Sequence, residues 1–145
     1  KKCNFTNPHG LAIKSNHASC ADVVVLMNYA MKYDLIAESA QKTNTTVQYI
    51  HLFDSKIIHL ENTNKLINQY FVGSKTGITY TAGPCLVTNF KFGDYKSFGV
   101  LINSKTPEIR WKEMATIILW HFDKYLWKNK LAGYNHQLIQ EFQQR

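Results

Sequence analysis

The chain has 145 residues, of which 45% are hydrophobic and 19% charged. That length gives one domain with room for a real core, and that balance excludes a disordered segment. Seventeen Lys and Arg against ten Asp and Glu leave a net charge of +7. No block of about five or six like charges occurs, so the basic character reads as a solvated surface and nucleic acid is not an expected partner.

No apolar run approaches the roughly 20 residues needed to cross a bilayer. The first residue is Lys1 and no signal-peptide h-region follows it, so the expectation is a processed chain or a portion of a longer one. Asn7–Gly10, "NPHG", is a turn in which Pro8 fixes φ and Gly10 permits a positive φ. Ser19–Asp22 has capping-box form, with Ser19 as N-cap. Residues 21–34 then read as one helix, because Val23, Leu26, Met27, Ala30 and Met31 recur on one face. Residues 41–46 are polar and read as a loop. Residues 47–53, "VQYIHLF", fit a short helix or a strand, and Lys56–Leu60, "KIIHL", reads as a strand. Asn62 and Asn64 carry turn chemistry.

From Val72 the period becomes two. An extended "GSKTGIT" is followed by the strand Cys85–Phe92, the turn 93–96 and the strand Ser97–Asn103, which together make a hairpin beside the first strand. After the loop "SKTPEI", residues 110–128 form an amphipathic helix with Trp111, Met114, Ala115, Ile118, Phe122 and Tyr125 or Leu126 as its stripe. "LAGYN" breaks it, and residues 136–145 read as a last short helix. The order predicts an α+β fold whose three-stranded antiparallel sheet is covered by one helix and open on its other face.

Cys3, Cys20 and Cys85 are an odd count without C-x-x-C spacing. One disulfide with a free thiol and three reduced thiols both stay open. The six histidines are scattered, and none forms H-x-x-x-H on a helix face. Neither a metal nor a cofactor is expected.

Five stretches in order resemble the D-alanyl-D-alanine carboxypeptidases, the low-molecular-weight penicillin-binding proteins of serine peptidase family S11. They are "FTNPHGL" (Phe5–Leu11), "HASCADVVVLMNYAM" (His17–Met31), "NTNKLI" (Asn62–Ile67), "GSKTGITYTAGPCLV" (Gly73–Val87) and "RWKEMATIILWHF" (Arg110–Phe122). The resemblance implies a penicillin-binding-protein or β-lactamase-like fold. That fold sets Ser-x-x-Lys, Ser-x-Asn and Lys-Thr-Gly around one cleft. It makes residues 1–128 the C-terminal portion of such a domain and residues 129–145 an extension. By that resemblance Lys75 is catalytic, giving positive charge for the substrate carboxylate and the proton relay. Thr76 offers a hydroxyl, Gly77 lets the substrate main chain lie close, and the Ile78 amide is an oxyanion-hole donor. Arg110 helps hold the terminal carboxylate. On the residues alone, Lys75 is also an ordinary surface lysine and Arg110 an ordinary helix-start arginine. Thr79, Ala82, Gly83 and Cys85 read as packing and turn residues.

The nucleophile motif and Ser-x-Asn lie upstream of the matched region in that family. The one local Ser-x-x-Lys, Ser39–Lys42, falls in a polar stretch and is not expected to act. The chain is therefore expected to supply one wall of a cleft, with the N-terminal half of the fold as its partner in the same or a second chain. Peptidoglycan stem peptides or β-lactams would be its ligands, and the periplasm or cell envelope its compartment. The alternative is an inactive structural subunit of a larger assembly, in an organelle such as the mitochondrion.

Overall fold

The computed structural model describes residues 3–11, 15–51, 54–66, 71–92 and 94–128. Among the described residues eight elements follow one another: α1 (Cys20–Ala30), α2 (Asp34–Gln41), β1 (Asn44–His51), β2 (Asp54–Glu61), β3 (Phe71–Thr79), β4 (Gly83–Phe92), β5 (Tyr95–Leu101) and α3 (Ile109–Lys128). They form two antiparallel sheets, β1-β2 and β3-β4-β5. The α+β reading holds, and so does the Lys-Thr-Gly strand beside a hairpin. The break at 129 and the last short helix lie outside the described residues.

Ser19 caps α1 as its spacing requires. Its Oγ accepts from the Asp22 amide at 3.2 Å and donates to Asp22 Oδ2 at 2.8 Å. The helix expected over 21–34 ends at Ala30, and a second helix begins at Asp34. The Lys32 and Tyr33 amides turn back onto the carbonyl oxygens of Tyr29 and Ala30. These tight bonds close α1, and α2 restarts at Asp34 without a side-chain cap. No Gly or Pro marks the break, so the periodicity runs through it. The polar 41–46 stretch is also not all loop, since β1 begins at Asn44 and pairs in register with β2 from Asn44↔Glu61 to His51↔Asp54. This ribbon resolves the helix-or-strand ambiguity of 47–51 in favour of strand.

The core lies between the three-stranded sheet and α3. Leu86 and Phe90 of β4 meet Trp111, Met114, Ile118 and Phe122 of α3, with Leu66 beside them. Phe90 and Phe122 stack edge to face with centroids 5.2 Å apart, a geometry their quadrupoles favour. Thr106 prepares α3 one turn early. Its Oγ1 accepts from the Ile109 amide at 3.1 Å, with Pro107 and Glu108 between them, the usual place for a proline at a helix start. The open second sheet face is not what forms. A Cβ at Gly73 would stand 3.0 Å from Met31 and 3.3 Å from Ala40, so the end of α1 and α2 lie directly against β3. Among the described residues, no strand pairs with the outer edge of β3, because it ends the strand order. Among the described residues, no helix is long and apolar enough to cross a membrane.

Candidate functional site

Opposed residues in an antiparallel pair share a face. Lys75 lies opposite Val87, Thr76 opposite Leu86 and Gly77 opposite Cys85. Leu86 belongs to the α3 core, so Thr76 is on the α3 face. Gly73 packs on the α1–α2 side, and period two puts Lys75 and Gly77 on that side as well. The edge strand thus carries its lysine on one face and its threonine on the other.

The main chain of β3 has a defined direction too. Ile78 is paired with Pro84, which has no N–H. The Pro84 carbonyl oxygen accepts from the Ser104 amide at 2.9 Å, on the β5 side of the sheet. Pro84 therefore turns its polar group away from β3, and Ile78↔Pro84 is a pair without mutual hydrogen bonds. In such a pair the outer residue directs its N–H and C=O away from the partner strand. Ile78 does so, and by alternation Thr76 does too. Two main-chain donors and two acceptors line the free edge. Between them a Cβ at Gly77 would meet nothing within 4 Å.

Lys75 is exposed, and its Nζ donates to the Thr76 carbonyl oxygen at that edge. Ile78 is 56% exposed. Thr76 Oγ1 lies 3.1 Å from Thr63 Oγ1. Thr63 follows β2 in the turn that Asn62 and Asn64 build, as those two asparagines were read. Its side chain is a site contact that sequence reasoning missed, since nothing along the chain marks a residue 13 positions upstream as a neighbour.

Arg110 sits in the first turn of α3 and is 6% exposed. Its Nη1 donates to the Cys85 carbonyl oxygen at 3.4 Å, its guanidinium lies 4.6 Å from the Trp111 ring centroid, and its Nε is buried without a partner among the described residues. An ordinary helix-start arginine would keep its head in water. This one leaves a charge-bearing donor unused in the interior, an arrangement that costs free energy unless an acceptor arrives.

A groove of about 670 Å³ opens beside Lys75 and Thr76. Val23, Leu26 and Met27 of α1, Leu35 and Ile36 of α2, Val87 and the 61–63 turn form its walls. Leu26 is 50% and Leu35 80% exposed, so the apolar face of α1 lines this groove and does not form a closed core. Ser39 also lines it. It belongs to α2 and not to a polar loop, and its Oγ donates to the Leu35 carbonyl oxygen at 2.6 Å. The three thiols are free, with Cys3 and Cys20 exposed and Cys85 half-buried.

Among the described residues, β3 thus carries Lys75, Thr76 and Gly77 on a sheet edge backed by β4 and β5, with Arg110 buried at the start of α3. Residues 1–106 match the D-alanyl-D-alanine carboxypeptidases of peptidase family S11, and the chain belongs to that family. The matched stretch includes Lys75–Ile78 and stops short of Arg110. Over 130 residues the chain is 29% identical to the D-alanyl-D-alanine carboxypeptidase DacC of Escherichia coli (strain K12), covering 84% of this chain and 31% of that protein. It therefore spans about a third of the length of the curated relative it matches. In fold it is similar to the crystal structure of a D-alanyl-D-alanine carboxypeptidase from Mycobacterium tuberculosis H37Rv. The TM-score is 0.63 at 21% identity, over 75% of this chain and 42% of that one.

Proposed function

We propose that this chain forms the Lys-Thr-Gly wall of a serine-type D-Ala-D-Ala carboxypeptidase cleft, acting on peptidoglycan stem peptides in the cell envelope. The rest of the fold, in the same or a second chain, supplies Ser-x-x-Lys and Ser-x-Asn. The observation that carries this reading is the free edge of β3, where Thr76 and Ile78 direct their main-chain groups outward past an unobstructed Gly77. An extended peptide can add to such an edge as a further strand. Its terminal carboxylate would then lie within reach of the Thr76 hydroxyl, the Lys75 ammonium and the buried Arg110 fork. The serine attacks the penultimate D-Ala carbonyl, the carbonyl oxygen takes negative charge facing the Ile78 amide, and the terminal D-Ala leaves. Lys75 steadies the carboxylate and relays a proton. The groove beside Lys75 is the seat for the nucleophile-bearing part.

The test is to assemble the chain with that part and measure covalent labelling by a fluorescent penicillin. Labelling that depends on both parts, and that Lys75→Ala lowers by orders of magnitude, is the expected result. A folded assembly that takes up no label overturns the reading in favour of a structural subunit.

A further inference from the structure

We propose that Thr63 is a positioning residue for Thr76, setting the direction of its hydroxyl proton; this rests on the functional reading above. The two hydroxyls lie 3.1 Å apart, and either oxygen can donate to the other. A threonine hydroxyl has one proton and two acceptor sites. A carboxylate at the β3 edge is acceptor-only, so Thr76 is useful there only if its single proton points outward. That requires Thr63 to donate and Thr76 to accept. With Thr63 as donor, the Thr76 proton is released toward the ligand, and the two bonds in series polarise each other.

The turn holds Thr63 in place without using its side chain. The Asn62 amide donates to the Thr43 carbonyl oxygen at 2.8 Å, and Asn62 Nδ2 donates to the Lys42 carbonyl oxygen at 2.8 Å. Asn62 Oδ1 accepts from the Asn64 amide at 2.9 Å, and Asn64 Oδ1 accepts from the Leu66 amide at 2.9 Å. Leu66 in turn is anchored in the core. The backbone on both sides of Thr63 is tied by its neighbours, so the Thr63 hydroxyl is free to serve Thr76. Valine has the same shape and lacks the proton, which makes Thr63→Val a clean probe of the proton alone.

The experiment uses the assembled catalytic domain as wild type, Thr63→Val and Thr63→Ser. KM and kcat are measured on a peptide ending in D-Ala-D-Ala, and the inhibition constant on the same peptide with its terminal carboxylate amidated. The expected result is that Thr63→Val raises KM on the order of three- to ten-fold, the scale of one neutral hydrogen bond. The amide's inhibition constant, kcat and the melting temperature stay at wild-type values, and Thr63→Ser restores KM. Equal KM values in wild type and Thr63→Val overturn the proposal. So does a loss that falls equally on acid and amide, which marks a merely structural residue. A wild-type assembly that neither turns over peptide nor takes up penicillin overturns the functional reading itself, and this proposal with it.

Discussion

Arg110 donates to the main chain of Cys85, the residue paired with Gly77 across the β3–β4 ladder. The buried guanidinium therefore stands under the same register pair whose outer member is the open glycine. Arg110→Met should separate its two effects. Replacing a poorly paired buried charge by an apolar side chain of similar length is often neutral or stabilising, and Nε has no partner to lose among the described residues. The lost stacking on Trp111 costs about 2 kcal/mol at a buried site. The expected stability is thus within about 2 kcal/mol of wild type in urea unfolding. Affinity for a carboxylate-ended peptide should fall roughly 10- to 100-fold, the scale of one hydrogen bond to a charged group. A large loss of stability with unchanged affinity would make Arg110 a structural residue.

Gly77→Ala tests the free edge. Nothing within 4 Å meets the added methyl, and alanine is favoured over glycine in a strand interior by about 0.5–1 kcal/mol. The melting temperature should therefore stay level or rise slightly. Penicillin labelling should fall steeply, because the methyl occupies the space through which a ligand main chain approaches. Unchanged labelling would remove the edge as the binding surface.

Gly83→Ala should behave in the opposite way. Gly83 has φ +64°, and a Cβ there would stand 2.4 Å from Asn103 Oδ1. Asn103 itself has φ 59°, so both sides of this crossing already use left-handed backbone. The left-handed cost for a residue with a Cβ is about 1–2 kcal/mol, and the displaced Asn103 adds to it. The expectation is a loss of roughly 1–3 kcal/mol, read as a lower urea midpoint at unchanged slope.

What was legible along the chain was whatever the chain's own core enforces. Trp111, Met114, Ile118 and Phe122 were readable because one face of α3 carries all four into the core shared with Leu86 and Phe90, so a single 3.6-residue stripe sufficed. The α1 stripe was readable as a helix and misleading as a core. Only Met27 of α1 is buried, since the rest of that face borders the groove. In the β1–β2 ribbon, 56–60 was legible as a strand, whereas 44–46 read as loop and 47–51 fitted helix or strand; each residue of β2 is exposed, so no buried face announces the pairing. At the site, Lys75 to Ile78 and Arg110 were named by resemblance. The outward direction of the Ile78 amide depends on Pro84 and Ser104, and the Thr63–Thr76 contact on a turn closing back to a strand. Both are facts of register, which a one-dimensional pattern does not contain.

The start of α3 should make stability pH-dependent through Glu108. Its carboxyl is held below its ordinary value of 4.5 first by its own backbone amide and then by the Thr106 hydroxyl, with smaller help from the charges of Lys65 and Arg110. A carboxyl whose value is depressed on folding contributes stability above its unfolded value. That contribution is lost as pH falls through the folded value. Glu108→Gln keeps the shape and cannot titrate. Unfolding measured from neutral pH down to about pH 3 should show wild type more stable than Glu108→Gln at the upper end. The gap should start to close near the ordinary carboxyl value and narrow steadily as pH falls below it. Added salt should trim mainly the part owed to the exposed Lys65, because the buried Arg110 and the amide and hydroxyl bonds are screened far less. A gap that stays constant across the range would show that Glu108 acts by shape alone and that the helix start gains nothing from its charge.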